Sequence, residues 1–505
     1  MKKIFVLSFL LLFLTSLCYA TDWYVSPTGA GNKDGTSQAN AWAGFDDLDD
    51  ETDGDGWSDI QPGDTLYMLD GTYTSSGANA VIDPPDNFDG SATGGYITIK
   101  ALNDGKVTIN GEGARKAVYL YQNDYIILKG FNAHNSDDVV IDISDCEHVQ
   151  IKRVIAWDAP GNTTHSVFSI HNGCNTVLVE DCAAFGKGRK GFEPMSSNSS
   201  NGGGNITFRR CFARWEQCDY TGPKMAISAC YNSDNVIVEN CIATWDNQMG
   251  SSPSEARGCF SVDAGGTSTK ILGSICFFLS SQNFYGSLYG FHYNDDNIEV
   301  KDCVFYNSDT SHSHRGIYIV TDTADSDTVE DCTAVGAQDS DYGNIHVYNI
   351  SYPATDILSI DAQTGCGNCD RIDYACMYNN TTDCASGSVT NKITSNPQLT
   401  RFGRNILQAD RSPVVDNEGS GGDTIGAVIR YRYVDGSLTS TLLWPWPMNQ
   451  RIIDAMKQAG KAPIDVTRTV FELGGGTCPQ VLYLNKGCDG SLTKACLNGK
   501  EVYQW

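Results

Sequence analysis

The tetrapeptide VEDC stands at Val179–Cys182 and returns at Val329–Cys332. Between these copies lie variants with the same order, an apolar residue, two polar residues and a cysteine: FRRC at Phe208–Cys211, VENC at Val238–Cys241 and VKDC at Val300–Cys303. The last position of the pattern recurs about every 30 residues, an interval that predicts stacked structural units.

Each repeat contains two short runs of alternating residues. In the repeat that ends at Cys182, the small or apolar residues are Val177, Val179, Cys182 and Ala184, and the adjacent residues 180–181 are polar. Apolar residues two positions apart indicate a strand, and the polar pair between the runs indicates a sharp corner. A helix would need apolar residues three and four positions apart. The pattern therefore predicts a strand, a corner and a second strand.

A third apolar run precedes each repeat. The runs that we assign to this first strand of the coil are AVYLY (117–121), VVIDIS (139–144), VFSIH (167–171), KMAIS (224–228), CFSVD (259–263), LYGFH (288–292) and RGIYIV (315–320). Three short strands per turn predict an all-β, right-handed parallel β-helix, in which like residues stack about 4.8 Å apart. Cysteine is small and apolar, so the repeated cysteines suit an inward column.

The N-terminal region adds a family resemblance. The segments WYVSPTGAGNKDGTS (23–37), QPGDTLYMLDGTY (61–73) and YITIKALNDGKVTING (96–111) resemble the start of secreted bacterial members of the pectate-lyase-like β-helix superfamily. The resemblance covers residues 22–430. It implies a function among polysaccharide lyases, hydrolases and epimerases, a substrate groove across the first-strand face, and often a bound Ca²⁺. Because this fold serves many functions, the reaction has to be argued from the site.

The start of the chain predicts export. Lys2 and Lys3 precede the apolar run Ile4–Leu14, and the tripeptide CYA at 18–20 fits a cleavage site, so residues 1–20 are predicted to be a signal peptide. The chain of 505 residues has 19 cysteines, and the cleavage removes one of them. The even number that remains suits an oxidising compartment. No later stretch is apolar over the length that spans a bilayer.

The net charge of −26 argues against nucleic acid and anionic membranes as partners. We expect a secreted monomer whose partner is a polysaccharide, an acidic one held by local cations. The predicted domains are the signal peptide (1–20), an N-terminal segment with the first coils (21–115), the parallel β-helix (116–436) and a C-terminal cap (437–505). In an exported protein, disulfides rather than zinc are expected in the late cluster Cys366, Cys369, Cys376 and Cys384.

The outward side of the first strand carries titratable residues in successive coils: Asp142, His171, Glu193, Asp263 and His292. Carboxylates and imidazoles aligned on one face favour a functional site, because neighbouring charges shift each other's pKa values. An ordinary polar surface is the alternative. We predict that Asp142, Asp263 and His292 bind substrate.

The turn FGKGRKGFEP adds a basic cluster next to these residues. Elimination from a uronic acid needs a cation that neutralises the substrate carboxylate and a base that removes the C5 proton. We assign neutralisation to Lys187 and Arg189 and proton abstraction to Lys190 or His171, with Glu193 as a further catalytic residue. The alternative is that these cations only pair with neighbouring acids.

The third strand predicts a sugar-stacking stripe. Trp157, Arg214, Trp215 and Trp245 stand at or next to its outward position and are predicted to bind substrate. Exposed aromatic residues are informative only where they form a patch. The alternative is that long loops cover the stripe.

Two further sequences suit metal ions. In ETDGDGWSD, the residues Glu51, Asp53, Asp55 and Asp59 echo the alternating oxygen ligands of a calcium loop, so a structural Ca²⁺ is predicted there. An acidic surface loop is the alternative. The sequence HSH at 312–314 is either a metal-binding pair or a pair of solvated histidines.

Together these patterns favour a secreted carbohydrate-active protein, above all a polysaccharide lyase that acts on an acidic glycan. One alternative is a glycoside hydrolase that uses two of the carboxylates Asp142, Glu193 and Asp263. Another is a non-catalytic, adhesin-like surface protein that binds glycan.

Overall fold

The computed structural model describes residues 20–49, 56–77, 79–195, 203–230, 232–247, 255–262, 268–284, 286–294, 297–320, 327–350, 352–399, 414–475, 494–497 and 500–504. Strands dominate these ranges, and thirty-five of them join in one parallel sheet system. Residues 1–19 of the predicted signal peptide lie outside the described residues. Among the described helices, none has the length and apolar character needed to cross a membrane.

The first coils contain seven strands and a short helix: β1 (Asp22–Ser26), β2 (Trp42–Ala43), α1 (Asp46–Asp49), β3 (Thr65–Met68), β4 (Gly71–Tyr73), β5 (Ala80–Ile82), β6 (Ile97–Ala101) and β7 (Val107–Asn110). Four regular coils follow: β8 (Lys116–Tyr121), β9 (Ile126–Lys129), β10 (Asn132–His134), β11 (Ile141–Ser144), β12 (Gln150–Lys152), β13 (Ile155–Trp157), β14 (Phe168–His171), β15 (Asn175–Glu180), β16 (Ala183–Lys187), β17 (Lys190–Met195), β18 (Gly204–Arg209) and β19 (Phe212–Gln217).

Four more regular coils complete the central part: β20 (Lys224–Cys230), β21 (Asp234–Glu239), β22 (Ile242–Trp245), β23 (Ala256–Val262), β24 (Thr269–Leu272), β25 (Ile275–Phe278), β26 (Tyr289–Asn294), β27 (Ile298–Lys301), β28 (Val304–Asn307), β29 (Arg315–Val320), β30 (Thr328–Glu330) and β31 (Thr333–Val335). The remaining elements are β32 (Ile345–Tyr348), β33 (Ala354–Ile360), β34 (Thr364–Tyr378), β35 (Thr382–Ile393), β36 (Tyr431–Val434), β37 (Ser437–Leu442), α2 (Asn449–Gln458), α3 (Val466–Glu472), β38 (Lys494–Leu497) and β39 (Lys500–Gln504).

The coils stack into three long sheets, because each strand of a regular coil pairs in parallel with the strand three places later. The first sheet runs from β5 through β8, β11, β14, β17, β20, β23, β26, β29 and β32 to β34. The second sheet starts at β1 and the third at β4, and both reach β33. This topology confirms the predicted parallel β-helix, whose crossover connections are right-handed by rule.

The predicted corner between the second and third strands is a single left-handed residue. It is the second residue of the polar pair, with positive φ: Arg153 (55°), Asp181 (54°), Arg210 (51°), Asn240 (50°), Asp302 (51°) and Asp331 (52°). Gly130 and Gly273 occupy the same corner in two other coils. One residue in this region reverses the side-chain alternation, and Asn, Asp and Gly adopt it most easily.

The repeated cysteines fill the interior as predicted. Cys182, Cys211 and Cys241 are each 0 % exposed. The backbone N–H of Cys211 donates to Sγ of Cys241 at 3.4 Å, so successive cysteines lie one above the next. Val179 and Ala184, from the flanking columns, are buried as well. The predicted register is therefore confirmed for these coils, whereas in the next coil Ser274 takes the place predicted for Cys276, which pairs with Ala243 instead.

A C-terminal segment, residues 414–475, covers the outer face of the third sheet. Trp444 and Trp446 pack into one apolar cluster with Trp157 and Phe185 of that sheet. The segment is also held by polar contacts, because the hydroxyl of Tyr433 donates to Asp302 at 2.5 Å. The third sheet thus has an apolar cover, whereas the first sheet keeps a polar outer face.

The narrow interior predicts that size matters more than hydrophobicity at the cysteine column. Replacing Cys211 with Ala should lower the free energy of unfolding by about 1 kcal/mol. Replacing it with Leu should cost more, about 1–3 kcal/mol, because the extra carbons overpack the stack. Thr207→Leu, at an outward position of the adjacent strand, is the control and should stay within about 0.5 kcal/mol of the parent in denaturant unfolding. A Cys211→Leu variant as stable as the Cys211→Ala variant would contradict the tight stack.

Candidate functional site

The first sheet aligns several predicted site residues. Its register pairs Asp142 with Ser169 and Ser169 with Glu193. His292 stands on β26 of the same sheet. The strand register aligns it with Ser261 of β23 and, two strands further back, with Glu193 of β17. Asp263 lies outside the described residues. The structure therefore places Asp142, Glu193 and His292 along one outward column, whereas His171, which the sequence aligned with Glu193, lies beside Met195.

Lys116 connects two carboxylates at the N-terminal end of this column. Its Nζ lies 2.5 Å from Oδ2 of Asp142 and 3.5 Å from Oδ2 of Asp138. The other oxygen of Asp142 lies 2.6 Å from Nε2 of His171, and Oδ1 of Asp138 lies 2.5 Å from Nδ1 of His165. The result is a continuous ionic chain. The sequence indicated only two of its five members.

The ionic chain shifts the protonation of two of its members, His171 and Asp138. Burial lowers the pKa of His171, but the hydrogen bond and charge of Asp142 outweigh burial, so the pKa lies above the usual 6.5. Asp138 is desolvated too, yet hydrogen bonds from His165 and the backbone, with the charge of Lys116, lower its pKa to about 2. His171 is thus favoured as a protonated group, which does not suit its predicted role as a base.

A cleft of about 520 Å³ opens beside the ionic chain. Asn79, Arg115, Tyr119 and His165 are among its lining residues. Nζ of Lys116 lies 4.4 Å from the ring centroid of Tyr119, so a cation and an aromatic face meet at one wall. Amides, carboxylates, cations and an aromatic ring in a polar cleft suit the hydroxyl groups and charge of an acidic sugar.

Glu193 and Lys190 form an internal ion pair. Nζ of Lys190 lies 2.8 Å from Oε1 of Glu193, and their side chains are 0 % and 4 % exposed. The hydroxyl of Ser166 donates to the other carboxylate oxygen. Burial would raise the pKa of Glu193, but the charges of Lys190 and Arg189 and these hydrogen bonds hold it below its usual value. Both side chains are buried in this ion pair, which corrects the prediction that Lys190 acts as a base on the substrate.

The other two cationic residues of the basic turn, Lys187 and Arg189, form hydrogen bonds with different neighbours. Lys187 is exposed, and its backbone N–H donates to Oδ1 of Asp158 at 3.0 Å. Arg189 is half-buried, and its Nε donates to the carbonyl of Pro223 at 3.1 Å. Among the five predicted catalytic residues, only the Lys190–Glu193 pair meets in a contact between described residues. The structure therefore does not assemble the predicted catalytic group.

Cations stand at the start of several first-sheet strands. The strands β8, β17, β20 and β29 begin at Lys116, Lys190, Lys224 and Arg315, and Arg257 is the second residue of β23. Parallel strands begin at the same edge of a sheet, so these cations line one edge in a chain of net charge −26, with Lys190 and Lys224 fully buried beneath it. Sequence reasoning missed Lys224, whose pKa burial lowers below 10.5.

A group of aromatic and imidazole rings occupies the C-terminal part of the same face. We call Tyr289, His292, Tyr318, Tyr342 and His346 the Tyr–His cluster. Tyr318 stacks between the two imidazoles, with centroid distances of 5.6 Å to His292 and 4.7 Å to His346. Tyr289 meets His292 edge-on at 4.6 Å, and Tyr342 meets His346 at 4.9 Å.

Arg315 borders the Tyr–His cluster. Its guanidinium lies over the rings of Tyr289 and Tyr342, at 4.8 Å and 4.2 Å from their centroids. Its Nε donates to Oδ2 of Asp339 at 2.9 Å. The carboxylate and the two rings hold the guanidinium in place, which preorganises a positive charge beside the imidazoles.

Both imidazoles of the cluster are held neutral. Burial and the charges of Arg257 and Arg315 lower the pKa of His292 to about 3. Burial and the charge of Arg315 lower the pKa of His346 to about 4. At neutral pH each ring therefore has one bare nitrogen, although pKa values of about 3 and about 4 make both rings weak bases until a bound anion offsets the nearby arginine charge.

Hydrogen bonds divide the roles of the two imidazoles. Nδ1 of His346 accepts the backbone N–H of Asn368 at 3.0 Å, so the ring proton is on Nε2 and His346 is a donor. Nδ1 of His292 lies 3.1 Å from Oγ of Ser261. Either atom of this contact can be the donor, and Nε2 of His292 accepts a proton in the tautomer in which Nδ1 donates to Ser261.

The aromatic stripe of the third strand is covered, which corrects its assignment as a substrate-binding surface. Trp157 is 2 % exposed beneath the C-terminal segment. Arg214 is 3 % exposed and donates to the carbonyl of Ala462 at 2.7 Å. Trp215 and Trp245 belong to the interior and stack on each other at 3.9 Å. The stated alternative, a covered stripe, describes Trp157 and Arg214, whereas Trp215 and Trp245 face the interior.

The predicted calcium loop falls largely outside the described residues, which include Asp59 but not Glu51, Asp53 or Asp55. The carboxylate of Asp59 accepts the backbone N–H of Gly56 at 3.2 Å, so it caps a short turn. The calcium ion remains a prediction for this loop.

A calcium ion on the first-sheet face would need carboxylates that are already engaged. Asp142 lies between two cationic partners, and Glu193 is held by Lys190 and Ser166. These two described carboxylates of the column therefore do not fit a calcium site as they stand.

Asp309, His312 and His314 form a compact group whose ligand atoms lie within 4.8 Å of one another. Nδ1 of His314 accepts the backbone N–H of Leu288 at 3.1 Å, so the neutral ring carries its proton on Nε2. That Nε2 lies 2.9 Å from Oδ2 of Asp309. Metal binding needs a bare nitrogen at that position, so the group is a hydrogen-bonded knot rather than a metal site.

Comparisons with known proteins found similar solved structures. The sequence matches no known protein family and no curated protein. Among solved structures it is similar to pectate lyase Pel9A, with 15 % identity over 62 % of this chain and 80 % of that chain and a TM-score of 0.40. It is also similar to a mannuronic acid specific polysaccharide family 6 lyase from human gut microbiota, with 12 % identity over 74 % and 82 % and a TM-score of 0.45.

A third similar structure is PfbA, a surface adhesin of Streptococcus pneumoniae, with 11 % identity over 74 % of this chain and 92 % of that chain and a TM-score of 0.39. The predicted parallel β-helix is confirmed by the strand pairing of this chain. At these identities the likeness concerns the fold alone, so function has to come from this chain's own residues.

The neutral imidazoles predict a loss of stability in acid. The unfolded chain takes up protons on histidine below about pH 6.5, whereas folded His292 does so only near pH 3. Stability should therefore fall as pH drops from about 6.5 to 3, with a slope approaching 1.4 kcal/mol per pH unit for this residue. Unfolding of the parent and of His292→Gln, compared across this range, isolates the contribution of His292. Parallel curves would contradict a neutral, buried imidazole.

The internal ion pair predicts a strong coupling. Lys190→Met leaves Glu193 buried without its cation and should lower the free energy of unfolding by about 3–5 kcal/mol. The double variant Lys190→Met/Glu193→Leu removes both charges and should recover most of that loss. Denaturant unfolding of Lys190→Met, Glu193→Leu and the double variant measures the coupling free energy between the two side chains. Additive losses would show that the pair does not act as a unit.

Proposed function

We propose that this chain is an exported enzyme that cleaves an acidic polysaccharide by β-elimination, with its reaction centre at the Tyr–His cluster. The observation that carries the proposal is the neutral imidazole of His292, which is 8 % exposed and stacked on Tyr318, in the field of Arg257 and Arg315 on the outward side of the first sheet. The site combines the two groups that elimination from a uronic acid needs, a cation for the substrate carboxylate and an uncharged base.

The cationic edge supports an anionic substrate. A net charge of −26 would repel a polyanion from most of the surface, so binding depends on a local concentration of positive charge. Lys116, Arg257 and Arg315 supply such charge along the edge of one sheet, whereas Lys224 is fully buried. A glycan chain laid along this edge would meet these cations in three of the coils.

The elimination assigned to the Tyr–His cluster needs one proton acceptor and one proton donor. The guanidinium of Arg315 pairs with the uronate carboxylate, which makes the C5 proton more acidic. Nε2 of His292 removes that proton, the electron pair forms the C4–C5 double bond, and the C4–O bond breaks. The hydroxyl of Tyr318, stacked on His292, donates a proton to the leaving oxygen. Burial raises the pKa of Tyr318, so the hydroxyl stays protonated until that step.

Activity on polyuronates tests the proposal. Incubation with a panel of acidic glycans, with and without Ca²⁺, should raise the ultraviolet absorbance that an unsaturated product gives. His292→Ala should lower kcat/KM by at least about 100-fold, because it removes the general base. Tyr318→Phe should lower kcat more than it raises KM. His134→Ala, a histidine of the third sheet, is the matched control and should retain the parental kcat/KM.

The other outcomes separate the alternatives. Saturable glycan binding without any product would support the non-catalytic binding protein. Release of saturated sugars would support a glycoside hydrolase. Full activity in His292→Ala would remove the Tyr–His cluster from the reaction, whatever the activity is.

A further inference from the structure

The last two coils bring three cysteines together. Cys366 and Cys369 form a disulfide within β34. Cys384, on β35, is the register partner of Cys366. The Sγ atoms of Cys384 and Cys366 lie 3.3 Å apart. Cys376, the remaining thiol of β34, instead contacts the carbonyl of Ser395 at 3.7 Å. The thiol of Cys384 thus lies next to the Cys366 sulfur of the existing disulfide.

We propose that Cys366, Cys369 and Cys384 are a site of thiol–disulfide exchange that cross-links the last two coils. The thiolate of Cys384 attacks Sγ of Cys366, the Cys366–Cys369 bond breaks, and Cys369 takes up the proton that Cys384 lost. One disulfide and one thiol are present before and after the step. No external oxidant or reductant is consumed.

Strand register favours the new bond. Partners in neighbouring parallel strands are about 4.8 Å apart, inside the range of about 4.4–6.8 Å that disulfides span between Cα atoms. Cys384 is half-buried, whereas Cys366, Cys369 and Cys376 are fully buried, so solvent reaches the attacking sulfur best.

Charge and burial set the speed of the exchange. Burial raises the pKa of the Cys384 thiol, Asp383 adds to this rise, and Lys392 opposes it. The thiolate is therefore scarce at neutral pH, and the exchange should quicken as pH rises.

The position of β35 gives the cross-link a consequence for the fold. Within the described sheets β35 pairs with β34 alone, and most of its side chains are exposed. A terminal coil of a solenoid has a neighbour on one side only. The new bond closes a loop with a sequence separation of 18 instead of 3. A longer closed loop constrains the unfolded chain more, so the exchanged form fastens the end of the solenoid more firmly.

Peptide mapping tests the exchange directly. Trypsin cuts after Arg371, which separates the peptide with Cys366 and Cys369 from the peptide with Cys376 and Cys384. The full-length protein is held at neutral and mildly alkaline pH, alkylated, digested without reduction and analysed by mass spectrometry. A linked pair of peptides should appear and grow with pH.

Single variants assign the bond. Cys384→Ala should abolish the linked peptides, and Cys369→Ala should make them the main form. Cys376→Ala is the matched control and should leave the linkage as in the parent. Peptides that stay separate in the parent at every pH, or a link that Cys376→Ala abolishes, would overturn the proposal. If Cys384→Ala does not fold, an alkylated Cys384 in folded Cys369→Ala would overturn it equally.

Discussion

The parallel register between successive coils is the constraint on which the rest of the molecule depends. Each coil satisfies its backbone N–H and C=O groups with the coils on either side, so every residue must lie over its equivalent in the preceding coil. Inside, this alignment selects small apolar side chains such as Cys211. Outside, the same alignment stacks Tyr318 on His292 and His346. The core and the candidate site therefore both result from the same pairing of strands between coils.

The three sheets do not offer equal surfaces. The C-terminal segment buries the outer face of the third sheet, so aromatic side chains there contribute to packing rather than to recognition. The first sheet keeps its polar face, and charged groups there interact over short distances in partly desolvated surroundings. Such surroundings strengthen each interaction, which is why the imidazole of His292 stays neutral between guanidinium groups.

The sequence predicted the structural features that depend on residues within one coil or the next. The interval of the VEDC pattern predicted the coils, and the alternation predicted which way Cys182 and Asp142 point. Burial of Arg214 was not predictable, because its partner carbonyl belongs to Ala462, 248 residues later. The buried pair of Lys190 and Glu193 likewise involves Ser166 of the preceding coil, which donates to the Glu193 carboxylate. The Tyr–His cluster did leave a signal, since Tyr318 and His346 occupy the same strand position as His292 in the next two coils.

The pairing of strands also governs the order in which the molecule can take shape. A coil has a template only after the coil before it exists, and the first template is β1 with β3. The C-terminal segment binds a surface that β13 through β33 build jointly. A chain made from its amino end therefore presents its parts in the sequence that assembly needs: a starting turn, then each successive turn, and finally the segment that closes over a finished wall.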